Sequence, residues 1–246
     1  TLIGPELQAL TKTQIAVTGG VTSPKTDDSD VPMWQTLEIR EGDVISFGRM
    51  ESGCRAYLSI RGGIHTPLVL GSRSTYIRGG FGGINGRQLK TGDIIEGFDV
   101  PPLKVGYSLS EELVPRFTGQ FKVHVILGPQ ADMFTEKGVD TFLSSSYKVT
   151  SEADRMGYRL EGPIIEHRAK ADIVSDALLP GAVQVPKSGK PIIIMRDAQI
   201  TGGYPKIAVA ITPDVSLLGQ ARPNDVIEFS KITMRQAYEK LCEYHR

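Results

Sequence analysis

The chain has 246 residues and carries 28 Lys and Arg against 28 Asp and Glu, so its formal charge is zero with the four His neutral. That balance argues against a general nucleic-acid or membrane-surface binder, because such proteins rely on an excess of cations. With 27 Gly and 15 Pro the chain should fold with many turns, and its two cysteines, Cys54 and Cys242, form no CxxC pair and suggest neither a disulfide framework nor a Cys-based zinc site. In chain order, short runs rich in Val, Ile, Phe and Tyr read as strands at 14–18 (QIAVT), 43–47 (DVISF), 55–60 (RAYLSI) and 121–127 (FKVHVIL). A short helix fits 131–138, then strands return at 191–195, 206–212 and 225–229, and the tail 234–246 spaces Met234, Ala237 and Leu241 as one apolar helical stripe. Punctuation by Gly and Pro, with no alternating strand-helix pattern, predicts a mainly β fold, a barrel or sandwich. The longest apolar runs, 192–195 and 207–211, are far short of the roughly 20 residues of a membrane span. Residues 1–20 lack the basic start and apolar centre of a signal peptide. A reducing compartment, and so a cytoplasmic location, is the expectation.

An internal repeat sharpens the fold. IREGDVISF (39–47) resembles VPKSGKPIII (185–194), and LKTGDIIEG (89–97) resembles ARPNDVIEF (221–229) more closely. Two related β units are expected, 1–115 and 116–246, the second ending in the helix. Ile60 and Gly92 are 32 apart in the first copy, whereas the matching Ile211 and Asn224 are 13 apart, so the first copy holds 19 extra residues within the 64–87 insertion.

Those residues include GSRSTYIRGGFGGINGR (71–87), with six glycines. From Ser52 to Gly92 the sequence has six Arg or Lys and no Asp or Glu, a local positive field in a neutral chain. Arg73, Arg78 and Arg87 are candidate forks for a carboxylate or phosphate, Ser74 a candidate donor, and Gly79 and Gly80 candidate points of close backbone approach. A solvated basic hairpin is the alternative, and the absence of GxxxxGK[ST] excludes a P-loop. In SEADRMGYRLEGP (151–163), Arg155 and Arg159 are either a substrate clamp or members of a surface ion-pair network with Glu152, Asp154 and Glu161. In QITGGYP (199–205), Gln199, Thr201, Gly202, Gly203 and Tyr204 form either a binding turn or a plain hairpin. The histidines lack ligand spacing, so no metal is expected in this chain. No GxSxG elbow supports a serine hydrolase.

Taken together, IGPEL (3–7), VPMWQ (31–35), SGCRAYLSIRGG (52–63), LGSRSTYIRGGFGG (70–83), GRQLKTGD (86–93), DRMGYRLEGP (154–163) and ITGGYPKIA (200–208) resemble the KipA family. That family comprises the C subunit of bacterial 5-oxoprolinase, also called allophanate hydrolase subunit 2, and the carboxyltransferase region of urea carboxylase. The resemblance implies cyclophilin-like β-barrel units, a KipI-like partner subunit, a further lactam-utilisation subunit or a biotin carrier, and a small substrate bearing an amide or urea group. The family pattern begins earlier, with a segment rich in Gly and Asp that this sequence lacks, so any site residue there lies outside it. No MKM occurs, so the chain is not itself the biotin carrier.

Three activities follow from the resemblance. The first is ATP-dependent opening of the 5-oxoproline lactam to glutamate, with ATP handled by the complex. The second is transfer of a carboxyl group from carboxybiotin, held on a separate carrier, to urea or a related amide. The third is a regulatory role that sequesters a KipI-like kinase inhibitor without chemistry. The general base is open among Asp154, Glu161 and His167.

Overall fold

A basic residue followed two positions later by Gly or Asn and then by Asp folds into one turn three times, at Arg40–Asp43, Lys90–Asp93 and Arg222–Asp225. In each, the first residue's backbone N–H donates to the Asp carboxylate, at 2.8, 2.7 and 2.9 Å. The Asp N–H returns a bond to the first residue's carbonyl, at 3.2, 3.0 and 3.0 Å. The residue before each Asp is left-handed, Gly42 at φ +93°, Gly92 at +90° and Asn224 at +78°, which is why Gly or Asn stands there. The first and third turns feed strands. The second feeds only an isolated bridge from Ile64 to Gly97, so LKTGDIIEG and ARPNDVIEF share a turn and not a strand.

The structure, a computed structural model, describes residues 2–27, 29–102 and 104–245. They divide into two compact units, Thr1–Glu51 with Ala56–Pro115, and Ser52–Arg55 with Arg116–Arg246. The first holds β1 (Glu6–Gln8), β2 (Thr13–Val21), β3 (Thr36–Ile39), β4 (Val44–Ser46) and the greater part of β5 (Ser52–Ile60). These make a three-stranded sheet in the order β3-β2-β5 and a β1-β4 pair. Ile15, Val17, Val31, Ile39, Ile45 and Phe47 are its buried core. From 61 to 110 the described backbone runs in turns and isolated bridges.

The second unit contains β6 (Gln120–Leu127), β7 (Ser146–Val149), β8 (Gly157–Glu161), β9 (Asp176–Ala177), β10 (Ala182–Gln184), β11 (Ile192–Ile194), β12 (Thr201–Gly202), β13 (Lys206–Ala210) and β14 (Val226–Lys231). Seven of them close a barrel in the order β10-β11-β8-β7-β14-β6-β13, and β9 pairs with β12 outside it. All barrel neighbours are antiparallel except β14 and β6. The mainly β architecture expected from the strand and turn signals is therefore present, with a closed barrel. Its interior is aromatic and branched, and Phe142 stacks on Phe229 with ring centroids 4.3 Å apart. Burial of each such side chain contributes on the order of 1.5–3 kcal/mol.

Among the described residues three α-helices accompany the barrel, α1 (Glu136–Ser144), α2 (Thr212–Leu218) and α3 (Met234–Tyr244). The helix expected at 131–138 is instead a 3-10 turn at Ala131–Met133 followed by α1, because Thr135 caps α1 by accepting from the Gly138 N–H at 2.9 Å. The expected strand 206–212 ends at Ala210, and Pro213 opens α2, which the apolar run conceals. Helix α3 stands as expected, with a capping box between Thr233 and Gln236. Among the described residues no helix is long and apolar enough to cross a membrane.

Candidate functional site

Strand β13 begins with a Lys before Ile-Ala-Val-Ala, and β10 ends with a Gln after Ala-Val. The two meet. The β10–β13 ladder shifts register between Val183 and Gln184, and the bulge sets Gln184 opposite Lys206. Bulges of this kind re-aim side chains beside sites. Gln184 is only 3% exposed and Lys206 4%, and polar groups this deep are costly without partners.

Both have them. Lys206 Nζ donates to Asp176 Oδ2 at 2.6 Å, and Gln184 Nε2 donates to the Tyr204 carbonyl at 3.1 Å. Gln130 bridges the group, its Nε2 donating to Asp176 Oδ2 at 3.2 Å and its Oε1 accepting from the Lys206 N–H at 3.2 Å. It reaches that place because Gly128, whose Cβ would collide with the Lys206 carbonyl, lets the end of β6 lie against β13. Asp176 also accepts from the Ala177 N–H at 2.8 Å. The Lys206 bond first, then the Ala177 and Gln130 bonds, hold its carboxyl below the usual carboxylate range. Asp176 is thus a fixed anion that orients Lys206 and a poor proton acceptor. Its side chain is 48% exposed, so the pair is buried on the lysine side and open on the carboxylate side. A lysine so held can direct its remaining N–H bonds at a carbonyl or carboxylate oxygen.

Of the residues expected from sequence, Thr201 and Gly202 lie here, since β12 pairs Thr201 with Ala177 and Gly202 with Asp176. The segment is a ladder with β9 rather than a plain hairpin turn. A Cβ on Gly202 would press on the Gln184 amide, which explains that glycine. The Gly203 carbonyl accepts from the Ile173 N–H at 2.9 Å, and the Tyr204 carbonyl receives the Gln184 bond. Gln199 lies at the start of the same segment, two residues ahead of β12. Lys206, Gln184, Asp176 and Gln130 were not among the residues expected from sequence. The signal was a single polar residue inside an apolar strand phrase, in GAVQVP and in PKIAVAI.

The other arginine segment is a set of ion pairs. Arg155 Nε meets Asp197 Oδ2 at 2.9 Å, and Arg159 Nε meets Glu152 Oε2 at 3.1 Å, both on well-exposed arginine side chains. The candidate bases are engaged as well. Asp154 Oδ1 caps the N–H groups of Met156 and Gly157, Glu161 takes Lys190 Nζ at 2.7 and 2.8 Å, and His167 Nε2 bonds the Val185 carbonyl at 3.0 Å.

In the first unit the 71–87 loop folds on itself. Tyr76 and Phe81 exchange backbone bonds and pack their rings at 5.4 Å. A Cβ on Gly82 would strike the Ser74 carbonyl, one on Gly83 the Thr75 side chain, and one on Gly86 the Gly80 backbone. Gly79 is hemmed by the Tyr76 and Phe81 rings, and Gly80, at φ +67°, faces open space. Glycine density here serves chain-on-chain packing. Arg73 donates to the Thr66 carbonyl and lies over the Phe98 ring, 4.8 Å from its centroid. Arg87 forms a bidentate pair with Asp93 at 2.7 and 2.8 Å, which occupies its fork and drives the Asp93 carboxyl well below its ordinary range. The acid-free stretch ends one residue short of the acid that Arg87 uses. Ser74 and Arg78 are exposed.

The family described as "Carboxyltransferase domain, subdomain A and B" matches residues 1–231. The chain is 35% identical over 235 residues to the C subunit of 5-oxoprolinase from Escherichia coli (strain K12), covering 94% of this chain and 73% of that one. It is 34% identical over 251 residues to the urea amidolyase of Saccharomyces cerevisiae, covering 93% of this chain but 13% of that protein. The crystal structure of the Kluyveromyces lactis urea carboxylase superposes with a TM-score of 0.89 at 33% identity, covering 97% of this chain and 23% of that one.

Proposed function

Since this chain belongs to the carboxyltransferase family of subdomains A and B, we propose that it is the subunit of an ATP-dependent 5-oxoprolinase that opens the lactam of 5-oxoproline to glutamate together with a KipI-like subunit. The likeness to the 5-oxoprolinase C subunit over nearly the whole chain carries this reading. The barrel bulge offers what the reaction needs from protein. Lys206 donates to the amide oxygen, Asp176 fixes Lys206, and the 199–204 segment with Gln184 shapes the floor. In the complex ATP would phosphorylate the amide oxygen with loss of ADP, water would add to that carbon, the ring C–N bond would break with a proton passing to nitrogen, and hydrolysis of the acyl phosphate would release glutamate and phosphate. Lys206 would meet the negative charge that gathers on the oxygens at that carbon. Gly82, Gly83 and Gly86 of the 71–87 loop face their own chain, whereas Gly71 and Gly80 face open space, and ATP is left to the complex as a whole.

A second reading is carboxyl transfer to urea or a related amide, favoured by the superposition on urea carboxylase. Carboxybiotin on a separate carrier would supply the carboxyl group, and the same Lys206 donor would meet a ureido oxygen. The test is an assay of the purified pair, this chain with its KipI-like companion, for ATP hydrolysis that depends on 5-oxoproline. Hydrolysis without a biotin carrier supports the first reading. Carboxylation of urea only when a carrier is present replaces it with the second, and neither activity removes both.

A further inference from the structure

The 66–87 loop is a braced knot with two tips. Thr66 and Arg73 close the first, the Thr66 hydroxyl donating to the Arg73 carbonyl at 3.1 Å while Arg73 donates back, and Val69 pairs with Ser72 inside it. Tyr76 and Phe81 close the second. The glycines at 82, 83 and 86 lock the two together through Ser74, Thr75 and Gly80. What such a knot presents outward is apolar. Leu68 is 63% exposed, Leu70 91% and Ile77 47%. Leu70 also has a left-handed backbone, at φ +50°. Strain and full exposure at one large apolar residue are both unfavourable in the free subunit, and such outliers are kept where a contact uses them. Arg73 and Arg78 are exposed beside these tips, within the stretch of 41 residues that has no acid.

We propose that these tips dock the companion subunit, through a protein surface on which carboxylates ring an apolar centre. The proposal rests on the subunit reading above and adds the place of contact and its chemistry. Three observations select that occupant. Asp93 is spent on its fork with Arg87, and the charged side chains at the tips are the exposed Arg73 and Arg78, so a complementary surface is acidic. Braced apolar tips flanked in sequence by Arg73 and Arg78 have the composition of an interface centre with a polar rim. Relatives carry this region either as one named subunit or within a much longer polypeptide, so an adjoining protein surface is available to meet it.

The experiment uses the full chain and the KipI-like companion, with Kd measured by calorimetry for wild type, L68E/L70E, Ile77→Glu and Arg78→Glu. Met234→Glu, at an exposed position on α3, is the control. L68E/L70E and Ile77→Glu should each raise Kd by about a hundredfold. Arg78→Glu should raise it by about tenfold and flatten its rise with salt. In case the glutamate variants fail to fold, hydrogen exchange of the wild-type complex supplies an independent reading, in which the 66–87 amides gain protection on binding. Companion binding with all variants within about twofold of wild type, or exchange at 66–87 unchanged in the complex, overturns the docking site and leaves the subunit reading standing. If the companion does not bind wild type at all, both fall. Loss of self-association in the variants with companion binding intact would assign the tips to a second copy and overturn the proposal.

Discussion

Among the described residues the second unit closes seven strands on one another around a cluster of twenty-one buried residues, whereas the first pairs its strands in an open sheet and a short ladder around six. Closure removes strand edges, so the barrel needs no charged or glycine-rich devices along its wall and can bury residues on successive positions of β13. The first unit ties the ends of its long 61–110 segment to Gln14, Trp34 and Thr36, and holds the 66–93 stretch between them by local means: an Asp-capped turn, an Arg–Asp fork and glycines that let chain touch chain. The Lys206–Asp176 pair, in consequence, is seated by tertiary packing at a barrel bulge. The 66–87 knot is seated by its own residues and by Asp93 and Phe98 just beyond it in sequence.

The sharpest way to break this contrast is to open the barrel core. Phe142→Ala should cost about 3–5 kcal/mol in denaturant unfolding, since a stacked and fully buried ring leaves a cavity. Val17→Ala, in the smaller core, should cost about 1–3 kcal/mol. Phe47→Ala is the matched deletion in the smaller core, and a cost equal to that of Phe142→Ala would mean that the two cores do not differ in the way their sizes imply.

Lys206→Met tests whether the barrel wall carries chemistry or only structure. Removal of one preorganised donor should lower kcat roughly 10²–10³-fold, with the melting temperature at neutral pH nearly unchanged because Asp176 is half exposed. A fall in melting temperature that accounts for the whole kinetic loss would leave Lys206 a structural residue.

The segment Ser52–Arg55, though remote in sequence, belongs to the second unit, where Gln220 acts as a side-chain strand. Its Oε1 accepts from the N–H groups of Cys54 and Arg55 at 2.9 Å each, and its Nε2 donates to the Arg55 carbonyl at 3.0 Å. Arg55 adds a bond to the Tyr158 hydroxyl at 3.0 Å. Gln220→Ala strips partners from part-buried backbone groups and should destabilise the unit by about 1–3 kcal/mol in thermal or chemical unfolding. No change would detach this segment from the barrel's stability.

The smallest expected effect is local to the first unit. Asp93→Asn breaks the fork with Arg87 and should make the 71–92 segment several times easier to cleave in limited proteolysis at about pH 7, with little effect on global unfolding. The Asp93 carboxyl sits below its unfolded value, so the brace is complete above about pH 4 and is lost as pH falls through the depressed value. The difference in cleavage between wild type and Asp93→Asn should therefore narrow below about pH 4. A difference that widens in acid would contradict the brace.

The seven strand phrases and the tail helix were legible from sequence because their signals are local, a two-residue or helical period between turn residues. The likeness of 89–97 to 221–229 was legible for the same reason, since Lys90 and Arg222 each reach an Asp three residues on, but 39–47 reads as the counterpart of 185–194 although Arg40–Asp43 forms the same turn as the other two. Family membership was legible too, through ordered motifs spread along the chain. What a side chain meets was a different matter. Arg155 finds Asp197, 42 residues away, and Gln184 meets Lys206 only because a bulge shifts β10 against β13. The glycines at 82, 83 and 86 face their own loop because that loop closes on Ser74 and Thr75. Spacing along a chain determines backbone conformation over a few residues. Whether a charge ends in a fork, under a barrel strand or in solvent depends on which distant segment arrives beside it, and packing alone decides that.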